Sequence, residues 1–149
     1  MSLQNKVMEA MKLAMKSKDT TALEALRAIK SAILLANTQS GAKETLEESA
    51  EVALLQKLVK QRKDSAAIYT EQGREELASA ELAQASVIAQ FLPEQLSESE
   101  LIKIIEEAIA KTGAQGMKDM GTVMGMVVKA VAGRADGKTI ADKVRQKLM

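Results

Sequence analysis

Apolar residues recur every three or four positions along nearly the whole chain, the spacing that puts them on one face of a helix. Leu3, Val7, Met8, Met11 and Met15 predict a first helix over 3–16, and Leu23, Leu26, Ile29, Ile33 and Ala36 a second. Thr21 followed three residues later by Glu24 reads as a capping box opening that second helix. It should fade near Ser40-Gly41. Thr45 with Glu48 repeats the box ahead of a long helix whose Val52, Leu55, Val59, Ala66 and Tyr69 share a face, with Gly73 as its stop. Leu77, Ala80, Ala83, Val87, Ile88 and Phe91 mark a fourth helix. It is ended by Pro93, which disfavours helical geometry at Leu92.

Beyond that proline, Ser97 and Glu100 form a third capping box, opening a helix with Leu101, Ile104, Ile105 and Ala108. Gly113 stands where a left-handed C-cap belongs. The texture then changes: five of the eight glycines fall between 113 and 133, so only two short helices fit, over 120–132 and 137–148. No run alternates strictly between apolar and polar, so no strand is expected. The expected fold is all-α: a four-helix N-terminal part of long helices, residues 1–93, followed by a small three-helix C-terminal part, residues 94–149.

Composition narrows the chemistry. Hydrophobic residues make up 46% of the 149 but aromatics only 1%, so Leu, Ile, Val, Ala and nine Met must fill the core. The chain has no Cys and no His. Disulfides, thiolate nucleophiles, Ser-His-Asp triads, zinc fingers and most transition-metal sites are thereby excluded, and neither a metal nor a cofactor is expected. The run Ala32-Ile33-Leu34-Leu35-Ala36 falls far short of the roughly 20 apolar residues a membrane span needs. With no signal segment either, the cytoplasm is the expected compartment.

Paired carboxylates occur at Glu47-Glu48, Glu75-Glu76 and Glu106-Glu107, and Lys63 adjoins Asp64. Neighbouring helix positions point about 100° apart, which argues against Lys63 and Asp64 as an acid–base pair. Helix capping and solubility account for the glutamates, so no catalytic residue is assigned. Gly121 and Gly125, four apart, should share a face and allow close approach, either of a packed helix or of an external ligand; Gly133 extends the series. A phosphate-cradling loop is not indicated: Gly133-Arg134-Ala135-Asp136-Gly137-Lys138-Thr139 ends in Gly-Lys-Thr but lacks the earlier glycine and the preceding strand.

Net charge is +1, yet residues 111–149 hold eight basic and three acidic side chains. Lys129, Arg134, Lys138, Lys143, Arg145 and Lys147 lie within 19 residues, and Arg134 and Lys138 should point outward close to the N-terminus of the last helix, where free N–H groups favour anions. Lys129, Arg134, Lys138 and Lys143 are the candidate contacts to the phosphates of folded RNA. Solvated surface is the plainer reading of the same charges. With so few aromatics, reading of single-stranded bases by stacking is not expected.

Leu26-Arg27-Ala28-Ile29-Lys30-Ser31-Ala32-Ile33, then Lys60-Gln61-Arg62-Lys63-Asp64-Ser65 with Tyr69 and Gly73-Arg74, then Phe91-Leu92-Pro93 form an ordered series of blocks. Asp119-Met120-Gly121-Thr122-Val123-Met124-Gly125 and Gly133-Arg134-Ala135-Asp136-Gly137-Lys138 continue it. In these blocks and their spacing the sequence resembles, nearly end to end, the YqeY-like branch of the GatB/YqeY family. It implies a helical module shared with the tail of the B subunit of the glutamine-dependent aspartyl/glutamyl-tRNA amidotransferase, a tail that grips tRNA. It also implies tRNA or another folded RNA as partner, and amidotransferase subunits as further partners. The family carries the label of a carbon–nitrogen ligase with glutamine as amido-N-donor. The catalytic cradle of the B subunit is a separate domain too large for this chain, and no Ser-Ser-Lys amidase arrangement is present. An adaptor that binds other proteins through its long helices is the remaining alternative.

Overall fold

The computed structural model describes residues 2–39 and 46–149, and these form an all-helical protein with no strand among them. The helices are α1 (Leu3–Ser17), α2 (Thr20–Gln39), α3 (Glu48–Glu71), α4 (Glu75–Ala89), α5 (Glu98–Thr112), α6 (Met120–Val131) and α7 (Gly137–Leu148), with a single 3-10 turn, Met117–Asp119, before α6. They fall into two compact units, Met1–Leu92 and Pro93–Met149, each with its own apolar core.

The first turn between helices departs from expectation. Lys18 adopts the left-handed conformation (φ 58°), and the next residue, Asp19, donates its N–H back to the Ala14 carbonyl at 2.9 Å. This is a Schellman closure with lysine where glycine is usual. Asp19 then caps α2 through a carboxylate that accepts the Ala22 N–H at 3.0 Å. Thr21 lies inside the first turn, and Glu24, the expected partner in its box, instead accepts from Gln84 Nε2 at 3.1 Å. A carboxylate already on the cap position leaves that hydroxyl no orphan N–H to satisfy. The Ser40-Gly41 end of α2 and the Thr45 capping position lie outside the described residues.

In the first unit α2 buries Ala25, Leu26, Ile29 and Ile33, and α3 buries Leu55, Val59 and Ala66. The expectation for α4 holds in part: Ile88 is buried and Val87 and Phe91 pack against the core, but the buried alanines are Ala78 and Ala85 rather than Ala80 and Ala83, and Leu77, like Leu82, is nearly half exposed. Apolar residues surround α4, so spacing alone does not select the buried stripe. Packing does, because alanine at 78 and 85 lets α3 and α4 run close along each other. Arg62 fastens the same pair, donating from Nε to Gln84 Oε1 at 3.2 Å and from Nη1 to the Leu58 carbonyl at 3.2 Å. The exposed ion pair of that motif is Lys60–Asp64 at 2.8 Å, one turn apart.

The second unit stacks α5, α6 and α7 around Leu101, Ile105, Val123, Val127, Val131, Ile140 and Val144. Ser97 caps α5 as expected, its Oγ accepting the Glu100 N–H at 3.2 Å. Glu100 completes the box through the cap's hydroxyl, which donates to its carboxylate at 2.9 Å. Gly113 ends α5 in the left-handed conformation at φ 67°. Asp136 caps α7, accepting the Thr139 N–H at 2.7 Å.

Candidate nucleic-acid interface

The basic residues at the end of the chain divide into two groups. Lys143 Nζ donates to Glu98 Oε1, Lys147 pairs with Glu106 at 3.0 Å, and Arg145 pairs with Asp142 at 3.3 Å. The first two pairs tie α7 to α5, and both ascend the two helices in the same sense, as the outer helices of an up-down-up trio should. Lys143 is therefore not the free cation expected: its side chain is three-quarters covered and its ammonium is engaged. The ammonium beside Glu98 also holds that carboxyl below its ordinary pKa, mostly through the hydrogen bond and then through direct charge attraction.

This changes the meaning of the charge distribution. Taken from residue 111, the chain end holds five more cations than anions, but the compact unit begins at Pro93 and includes the glutamates of α5. With Glu94, Glu98, Glu100, Glu106 and Glu107 counted in, the unit holds nine basic and eight acidic residues, a net +1. Part of the cationic run therefore fastens helices together.

Lys129, Arg134 and Lys138 form the other group. Lys129 is in the last turn of α6, Arg134 in the turn that follows, and Lys138 in the first turn of α7. The lysines are exposed, with no ion pair or side-chain hydrogen bond among the described residues. Lys129 at a helix C-terminus complements the dipole, so its place is explained without a ligand. Lys138 is the opposite case. It stands at the positive end of α7, where the dipole disfavours a cation, two residues after the Asp136 carboxylate that caps the helix.

Arg134 is held by the backbone. Its Nε donates to the Glu94 carbonyl at 2.9 Å, and its own carbonyl accepts the Leu96 N–H at 2.8 Å. Gln95 Nε2 adds a bond to the Gly133 carbonyl at 3.4 Å. The segment after Pro93 is thus pinned to the α6–α7 turn, and the guanidinium is oriented while its terminal nitrogens keep no partner among the described residues. The sequence carried no signal for this clasp beyond the proline itself.

The glycines also sort out. A Cβ added at Gly121 or Gly125 would meet nothing within 4 Å, and both are exposed, so the packed-helix explanation of their spacing fails. The buried stripe of α6 is Val123, Val127 and Val131. Gly121 and Gly125 fall on the opposite side, in line with Lys129 at the same four-residue step. Gly133 serves the turn, with φ 84° directly after Ala132 at φ 50°.

The paired carboxylates have ordinary positions. Glu75 and Glu76 occupy the first turn of α4, Glu48 that of α3, and Glu106 is paired with Lys147. No helix among the described residues is long and apolar enough to cross a membrane.

A stretch of 57 residues, 36% of the chain, is 40% identical to a glutamyl-tRNA(Gln) amidotransferase subunit of Thermococcus gammatolerans, of which it covers 9%. The protein named "Altered inheritance of mitochondria protein 41, mitochondrial" from Pyrenophora tritici-repentis is 32% identical over 139 residues, 91% of this chain and 75% of that protein. The model of the YqeY-like protein family matches residues 4–148, and the chain belongs to that family.

Proposed function

We propose that the protein is a helical accessory factor that binds tRNA or another folded RNA, with the α6–α7 corner as its contact to the phosphate backbone. Lys129, Arg134 and Lys138 supply the charge. The open Gly121–Gly125 face of α6 lets an RNA strand approach the helix backbone. The observation that carries this reading is the position of the exposed Lys129 and Lys138 on either side of the turn that holds Arg134, neither lysine with an ion pair among the described residues. The resemblance to part of an amidotransferase subunit whose name includes glutamyl-tRNA(Gln) supports tRNA as the RNA to try first. In this reading the protein works in the cytoplasm; the word mitochondrial belongs to the name of its fungal relative.

The test is a filter-binding titration against tRNA at two salt concentrations, repeated on Arg134→Ala/Lys138→Ala. Saturable binding that weakens with salt and is lost in the double variant is expected; undetectable binding at low salt refutes it. The same resemblance favours a second reading, association with a tRNA-dependent amidotransferase of the carbon–nitrogen ligase type. Adding the protein to such an enzyme and following amidation tests it, and an unchanged rate and substrate affinity would exclude it. A pull-down that recovers the same proteins with and without nuclease would instead favour a protein-binding adaptor.

A further inference from the structure

A cleft of about 340 Å³ lies within the C-terminal unit, lined among others by Gln95, Ser97, Glu98, Arg134, Thr139 and Lys143. That lies at the small end of the range of small-molecule sites, roughly 300–1,000 Å³. Two cations reach it. Arg134 is pre-oriented by the Glu94 carbonyl, with its terminal nitrogens unpartnered among the described residues. Lys143 is engaged there by an oxyanion, the Glu98 carboxylate. The cleft thus already holds one anion against one of its cations, and that anion belongs to the protein.

We propose that this cleft is a phosphate-binding site whose place is kept in the free protein by Glu98, and that an incoming phosphate displaces the Glu98 carboxylate to bridge Lys143 and Arg134. Charge balance requires displacement. Glu98 and Asp136 offset Lys143 and Arg134, so adding a phosphate to the closed cleft would leave an excess of negative charge. Asp136 cannot leave without uncapping α7, because its carboxylate accepts the Thr139 N–H. Glu98 can: its side chain is 69% exposed and its carboxylate holds no helix N–H, since Ser97 caps α5. Swinging into water costs it one ion pair whose carboxylate is already solvated, a modest price. The released Lys143 and the fixed guanidinium then present donors from two sides, the fork of arginine suiting phosphate in particular. The site shares Arg134 with the RNA reading but does not require it, since the phosphate can belong to an RNA backbone or to a free phosphate compound.

The experiment is a titration of the isotope-labelled protein with inorganic phosphate, followed through the amide signals of Gln95–Glu98 and Asp136–Thr139, for the wild type, Glu98→Gln, Glu98→Gln/Lys143→Gln and Arg134→Ala. Saturable shifts are expected in the wild type, tightened about two- to fivefold in Glu98→Gln, the range that removal of one competing exposed ion pair allows. The gain should vanish in Glu98→Gln/Lys143→Gln, and Arg134→Ala should bind more weakly than the wild type. No saturable shift in Glu98→Gln, or a gain that survives loss of Lys143, would overturn the proposal. A tRNA arm separates the sources. If the phosphate is that of RNA, Glu98→Gln tightens tRNA by the same factor and inorganic phosphate competes. If it is a free phosphate compound, phosphate still saturates the cleft while tRNA affinity ignores the substitution. A protein that binds tRNA without any phosphate shift sinks the cleft alone; one that binds phosphate but no tRNA sinks only the RNA reading.

Discussion

Ile105 stands at the centre of the C-terminal core with no exposed surface, among Leu101, Val127 and Val144. Replacing it with alanine removes buried carbons and leaves a cavity, a change that costs about 2–5 kcal/mol in comparable cores. Stability of globular domains runs at roughly 0.05–0.15 kcal/mol per residue, so a unit the size of Pro93–Met149 has about 3–9 kcal/mol to lose. The substitution should therefore consume a large part of that unit's stability. None of it should be drawn from Met1–Leu92, whose core of Leu26, Ile29, Leu55 and Ile88 contains no residue beyond Pro93. Native-state hydrogen exchange reads this directly, because it resolves opening free energy residue by residue. In Ile105→Ala, amides of α5, α6 and α7 should lose protection by two to several kcal/mol while those of α2 and α3 keep theirs. Equal loss of protection in all the helices would refute the idea of two separate cores. So would a variant in which no amide responds, since a residue without exposed surface cannot be truncated for nothing.

Three further outcomes follow from the geometry. Gly125→Ala should stabilise α6 by about 0.5–1 kcal/mol, since the added methyl meets open space in the helix interior, and Gly121→Ala, in the first turn, by less; thermal melts check this, and a fall in tRNA affinity alongside the gain would mark the face as a contact. Asp19→Ala should cost about 1 kcal/mol in denaturant unfolding, whereas Thr21→Ala should be close to neutral, because only the first caps α2; the reverse order would restore Thr21 to the capping role. Glu98 has its folded-state pKa depressed by Lys143, so its contribution to stability is present above the unfolded carboxyl value of about 4.3 and lost as pH falls through the lower folded value. Stability measured across that acid range should decline more shallowly in Glu98→Gln than in the wild type, and identical profiles would show that the pair does not act in solution.

The helices are largely readable from the sequence because their signals are local. Ser97 and Gly113 bracket α5, Pro93 follows α4, and the valine and isoleucine positions of α5 to α7 repeat at helical spacing with polar residues between. The signal is missing where the deciding partner is remote. Nothing in the neighbourhood of Lys143 announces that Glu98, 45 positions earlier, will take its charge, and the cationic stretch is unbalanced only when taken apart from the α5 glutamates that offset it. In α4 apolar residues on every side left the buried stripe to be chosen by how closely α3 can approach. At α2 an aspartate that belongs to the preceding turn displaced a threonine that fitted the motif. The α6–α7 corner was legible as charge, but not the clasp that orients Arg134, since that depends on the backbone of Glu94 and Leu96.

Contact between phosphate and the trio Lys129, Arg134 and Lys138 is the central claim, and the salt dependence of tRNA affinity counts such contacts. Each neutralised phosphate contributes roughly −0.7 to −0.9 to the slope of log K against log salt concentration. Changing all three residues to glutamine should therefore flatten the slope by about 2–3 and weaken binding at low salt. A triple variant whose slope and affinity match the wild type would contradict the claim outright.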